Sequence, residues 1–102
     1  MQTYKITVSN LAEIDLQHIA AYISDTEGIE RAKHVEHGIL SEIKRLEHFP
    51  TAYPTDEYAS TYNREVRFIM KWRYKILFFI DADTVQIAGI FHTAQNPNKI
   101  NL

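Results

Sequence analysis

The hydrophobic period of this chain switches twice, from two to about 3.6 at Ser9-Asn10 and back to two near Glu65, and that order leaves few folds open. Tyr4-Lys5-Ile6-Thr7-Val8 alternates and is rich in β-formers, which predicts a first strand. Asn10 follows as the expected N-cap of a helix, with Glu13 placed to complete a capping box. From Leu11 to about Asp25, Ala12, Leu16, Ile19, Ala20 and Ile23 share one face, and Ile14, Ala21 and Tyr22 a second. A helix with two apolar stripes needs two neighbours. Asp25-Thr26-Glu27-Gly28 supplies a turn. A second helix, about Ile29 to His48, gathers Ile29, Ala32, Val35, Ile39, Leu40, Ile43 and Leu46 on one side, and Phe49-Pro50 stops it. Two helices so joined make an αα-hairpin.

Residues 51–63 are polar and Tyr-rich and predict an irregular loop. Three strands follow, about Glu65–Lys71, Arg73–Ile80 and Thr84–His92, the last two joined by a tight turn at Asp81-Ala82-Asp83. The middle one becomes apolar on both faces, as a central strand should. The tail from Thr93 to Leu102 reads as extended. The expectation is an α+β fold in the order β-α-α-β-β-β, a helical hairpin packed on a mostly antiparallel four-stranded sheet.

A length of 102 residues suits one domain, 1–102, with one core. No cysteine is present, so disulfides, thiolate nucleophiles and Cys-based zinc sites are excluded. No stretch approaches the ~20 apolar residues a bilayer span requires, and the N-terminus lacks the pattern of a signal peptide. A soluble, cytoplasmic protein is expected, with no membrane partner.

The net charge of −2 conceals an asymmetry. Residues 1–50 carry five Lys/Arg against eight Asp/Glu, whereas Arg64, Arg67, Lys71, Arg73 and Lys75 are opposed within their segment only by Glu65. Strand alternation suggests that these cations gather on the sheet face the helices leave open. A local patch of this kind fits one anionic contact. It does not fit a general nucleic-acid binder, which is basic throughout.

Each candidate has a structural alternative. Lys75, Arg73 and Arg67 can meet a phosphate, or can be strand cations beside Asp56 or Glu57 that blunt an edge. His92, at the end of the last strand, has the pKa range of a general acid or base, or is a hydrogen-bonded strand terminator. His34 and His37 stand at i, i+3, but His48 lies roughly 16 Å further along the same helix and cannot complete a site, so neither metal nor cofactor is expected. Trp72, Tyr53, Tyr58 and Tyr62 suit base stacking or, equally, packing.

The helical residues Asp15-Leu16, Ile19, Tyr22-Ile23, Ala32, Ile39, Ile43, Leu46 and Phe49-Pro50 resemble the hairpin of the ParE branch of the RelE/ParE toxins. The strand residues Val66-Arg67, Arg73 to Phe78, Asp81-Ala82-Asp83, Val85-Gln86-Ile87 and Phe91-His92 are similar to the superfamily's sheet. The resemblance covers nearly the whole chain and implies the toxin of a type II toxin–antitoxin (plasmid stabilisation) system. ParE-type members poison DNA gyrase. RelE-type members cut messenger RNA on the ribosome, using basic residues that orient the 2′-hydroxyl and stabilise charge on the phosphate.

By that resemblance Lys75, His92, Arg73 and Arg67 are the catalytic candidates. Lys75 stands where the family carries an arginine and cannot offer its bidentate fork. His92-Thr93-Ala94-Gln95 lacks the consecutive arginines the family often has there. The resemblance further implies a cognate antitoxin, for which Arg64, Arg67, Lys71, Ile14 and Tyr22 are the candidate contacts, and a dimer or toxin–antitoxin hetero-oligomer. Three readings stand: a ParE-like inhibitor of a gyrase-type target, a RelE-like nuclease, and a degenerate member that only binds its antitoxin.

Overall fold

A computed structural model describes residues 2–94, so the extended reading of residues 95–102 falls outside the described residues. The elements run β1 (Lys5–Val8), α1 (Asn10–Glu27), α2 (Ile29–Arg45), a short 3₁₀ turn (Pro50–Ala52), β2 (Arg67–Lys71), β3 (Tyr74–Asp81) and β4 (Thr84–His92). The sheet order is β1-β4-β3-β2. β2, β3 and β4 form an antiparallel meander, and the helical hairpin carries the chain across so that β1 lies parallel beside β4. The α+β expectation holds, with one parallel pair in a mostly antiparallel sheet.

Apolar side chains at helical spacing on α1 and α2 close onto one sheet face. Ala12, Ile23, Val35, Ile39 and Ile43 of the helices bury against Ile69, Ile76, Phe78, Val85, Ile87 and Ile90. Ile29 and Leu40, expected on the buried side of α2, are instead exposed at its margin.

The N-cap of α1 is Ser9, not Asn10. Ser9 Oγ accepts from the Ala12 N–H at 3.0 Å and donates to the Ala88 carbonyl at 3.2 Å. Ser9 therefore satisfies one orphan amide of the helix and ties its start to β4. The tie falls on a bulge, since Leu77 pairs with Gly89 but Phe78 with Ile87, leaving Ala88 as the extra residue. The Asp15 carboxylate accepts from the Ile90 N–H just beyond it, at 3.0 Å.

Between the helices the turn is the single residue Gly28, at φ 98°, a backbone region open to glycine and strained for other residues. Helix α2 ends at Arg45, before the His48 expected from the periodicity.

The segment before β2 is more ordered than its composition suggests. Thr55 bridges to Arg67 and Thr61 to Arg64, so the chain doubles back along the edge of β2. It lays Ala59 and Val66 over Leu77, with Phe68 and Phe91 alongside. The sheet face away from the helices, expected to be bare, is thus partly strapped. Among the described residues no helix is long and apolar enough to cross a membrane.

Candidate functional site

The five cations between Arg64 and Lys75 do not converge. In antiparallel pairs, opposed residues share a face. Arg67 opposes Phe78 and Lys71 opposes Tyr74, which puts both cations on the helix side. Lys75 opposes Met70 and Phe91 and lies on the strapped side. Arg73 sits in the turn between β2 and β3. The expected cluster is therefore replaced by separate contacts, because a register fixed by the Trp72-Arg73 turn sets Lys71 beside Tyr74 rather than Lys75.

Most of these charges are already matched. Arg67 hydrogen-bonds Glu65 at 2.7 Å and donates to the Tyr53 carbonyl. Lys71 lies 3.8 Å from Glu42 of α2. Arg64 carries its guanidinium 3.9 Å above the Phe79 ring. Arg73 makes no ion pair among the described residues.

Lys75 is the most enclosed. Its ammonium sits 2.7 Å from Asp56 Oδ2, 4.5 Å from the Phe68 ring and 5.8 Å from the Phe91 ring. Asp56 is 4% exposed, and its other oxygen accepts from the backbone of Tyr58 at 3.0 Å and Ala59 at 2.9 Å. Burial alone would push the Asp56 carboxyl upward. The Lys75 hydrogen bond and charge, together with the two amides, outweigh it and hold the pKa below the usual 3.8. The pair is an ionised clasp between the strap and β3.

His92 opposes Tyr74 on the helix side, its ring edge-on to the phenol at 5.4 Å. Its Nδ1 accepts from the Ala94 N–H at 3.0 Å. Burial, then the Glu27 carboxylate, raise the Tyr74 phenol above 10.0 against the opposing effect of Arg31. Lys75 and His92 thus leave the sheet on opposite faces.

On the helices, Ile14 and Tyr22 are exposed, joined by Leu11 along the outer side of α1. The His34 ring lies 5.3 Å from Trp72, and no group of three metal-ligating residues occurs among the described residues. Tyr53 packs edge-on against Phe78, whereas Tyr58 and Tyr62 are exposed. Sequence reasoning named Asp56 only as a neighbour and did not find the His34–Trp72 contact. Glycine within a helix was the available signal for the second: a Cβ on Gly38 would meet the Trp72 ring at 2.3 Å.

Comparison with known proteins gives this αα-hairpin over a β1-β4-β3-β2 sheet its family. The family model for the ParE toxin of the type II toxin–antitoxin system parDE matches residues 6–97. The chain belongs to the ParE toxin family, within the RelE/ParE superfamily, and is a toxin of the type II class. A solved chain described as the chromosomal ParDE TA system from P. aeruginosa superposes with a TM-score of 0.73 at 18% identity. The alignment covers 88% of this chain and 96% of that one, a likeness of fold. None of the curated proteins matches.

Proposed function

We propose that this protein is a cytoplasmic, ParE-like growth inhibitor that acts by binding a protein target of the DNA gyrase type and is silenced by a cognate antitoxin. One observation carries the choice of mechanism: Lys75 and His92 project from opposite faces, and Lys75 is clasped by Asp56. A ribonuclease of the RelE kind needs a base, an acid and phosphate-binding cations around one scissile bond. Here Arg67 and His92 lie on the helix side, Lys75 on the other, and Arg73 in a turn. The sequence departures at Lys75 and after His92 point the same way.

The antitoxin contact is assigned to the outer stripe of α1, with Ile14 and Tyr22 exposed, and to Arg64, Arg67 and Lys71. An amphipathic or extended antitoxin segment would cover the apolar stripe and bring carboxylates to compete with Glu65 and Glu42 for the cations. The test uses the purified toxin with purified gyrase. Loss of supercoiling, restored by the protein of the neighbouring reading frame, is the expected result. Undiminished supercoiling at toxin concentrations that arrest growth would remove gyrase as the target.

A further inference from the structure

We propose that the strap, residues 53–66, is the surface with which this toxin grips its protein target, presenting Tyr58 and Tyr62 to a patch that carries lysine or arginine. The inference rests on the reading above that toxicity comes from binding a protein. Tyr62 is exposed over its whole surface, and Tyr58 over 58% of it. Neither ring joins the two apolar clusters of the described residues. The backbone beneath them is held all the same. The Asp56 N–H donates to the Val66 carbonyl at 2.7 Å, and the Ser60 N–H to the Asp56 carbonyl at 3.0 Å. Ser60 Oγ accepts from the Val66 N–H at 2.9 Å. Thr61 and Arg64 exchange backbone bonds at 2.8 Å and 3.2 Å, which closes a tight turn on whose tip Tyr62 stands. A tyrosine displayed on an ordered loop gives up only two side-chain torsions on binding. The run Tyr58-Ala59-Ser60-Thr61-Tyr62-Asn63 also has the composition that antibody paratopes use, tyrosine for contact area and serine and asparagine for adaptable hydrogen bonds.

Charge separates a protein partner from a nucleic acid, on whose bases tyrosines also stack. Of the four charged residues in the strap, Asp56, Glu57 and Glu65 are acidic and Arg64 is basic. Lys75 neutralises Asp56. Glu57 is exposed and makes no ion pair among the described residues. Glu65 reaches Arg67, yet its side chain stays 62% exposed. Arg64 lies over the Phe79 ring. A phosphate backbone that approached the tyrosines would meet these carboxylates, with Arg64 as the strap's one cation. A lysine or arginine on a protein surface gains instead, from Glu57 and from the faces of the tyrosine rings. The strap packs on the sheet face away from the helices, so this contact is separate from the Ile14 and Tyr22 stripe of α1.

Growth arrest under graded induction, with the intracellular level of the full chain measured, reads the contact whatever the target is. Tyr62→Ser should need about tenfold more toxin to arrest growth, as the loss of an interface hot spot does. It should melt like the wild type, because the ring it removes is fully exposed. Glu57→Lys carries the sign. Against a cationic protein patch it should raise the required level about fivefold, whereas stacking on RNA would be strengthened by the new charge. Both variants are then titrated into purified gyrase, where half-inhibition of supercoiling should move by the same factors. A wild type that arrests growth but spares gyrase removes gyrase as the target, and the growth series then decides the strap by itself. Undiminished arrest by Tyr62→Ser, equal or greater toxicity of Glu57→Lys, or a wild type that arrests nothing would each overturn the proposal.

Discussion

The Lys75 ammonium and the Asp56 carboxylate meet at 2.7 Å across the boundary between β3 and the strap that crosses it. They come from positions nineteen residues apart, and their side chains are 21% and 3% exposed. The residue that family resemblance places in a catalytic role is therefore also the one that fastens the strap. Removing either partner leaves a charge with little water around it.

Asp56→Ala should destabilise the fold by about 2–4 kcal/mol, since it strands the Lys75 charge and the Tyr58 and Ala59 amides together. For a domain of this size that corresponds to a melting point lower by roughly 10–25 °C. Lys75→Met should cost less, because its chain still packs between Phe68 and Phe91. Thermal melts of the two variants test the ranking, and a near-native melt for Asp56→Ala would refute it.

The acid limb of stability follows from two carboxyls of opposite sign. Asp56 has its folded pKa depressed below 3.8, so its stabilisation is present above the unfolded value and is lost as pH falls through the folded one. Asp15 is raised above 3.8 by burial, against the Ile90 amide and His18, so its contribution is present below the unfolded value and is lost as pH rises through the folded one. The stability gap between wild type and Asp56→Asn should therefore narrow as pH drops below about 4. Asp15→Asn, which can still accept from Ile90, should be neutral or stabilising at pH 7. Denaturant titrations at several pH values would show both trends, and a gap that widens in acid would contradict the first.

Much of the fold was legible because burial writes its period into the sequence. Ala12, Ile23, Ile39 and Ile43 announced the helices, and Ile76, Phe78, Val85 and Ile87 the central strands. What was not legible turns on single-residue offsets. Alternation tells which residues of one strand share a side, but relating two strands needs their register. The Trp72-Arg73 turn pairs Lys71 with Tyr74 and so separates Lys71 from Lys75. The Ala88 bulge left no signal in composition, yet it sends Ile90 and His92 to the helix side and Phe91 to the other. The clasp was equally hidden, because Asp56 lies in a polar loop whose fold depends on contacts distant in sequence.

The cap of α1 shows the same offset and can be measured. Ser9→Ala should cost about 1 kcal/mol, through the loss of its bonds to Ala12 and Ala88. Asn10→Ala, an exposed substitution at the first helical residue, should stay within about 0.5 kcal/mol. Equal effects in urea unfolding would mean that the cap is misplaced.

Gly38 offers a sharper test of packing. Glycine to alanine inside a helix normally stabilises by about 1 kcal/mol. Here the new methyl group displaces Trp72, so Gly38→Ala should instead destabilise by about 1–3 kcal/mol and shift tryptophan emission to the red. In a Trp72→Ala background the same substitution should regain its ordinary stabilising sign, giving a large coupling energy in a double-mutant cycle. Additive effects would show that the two residues do not touch.

The most direct test of a toxin that works without a nucleolytic site is to map messenger RNA ends on ribosomes soon after induction. With Lys75 and His92 on opposite faces of the sheet, wild type and His92→Ala should arrest growth alike, and neither should produce new codon-linked ends. Codon-linked ends that appear with the wild type and vanish in His92→Ala would contradict the account.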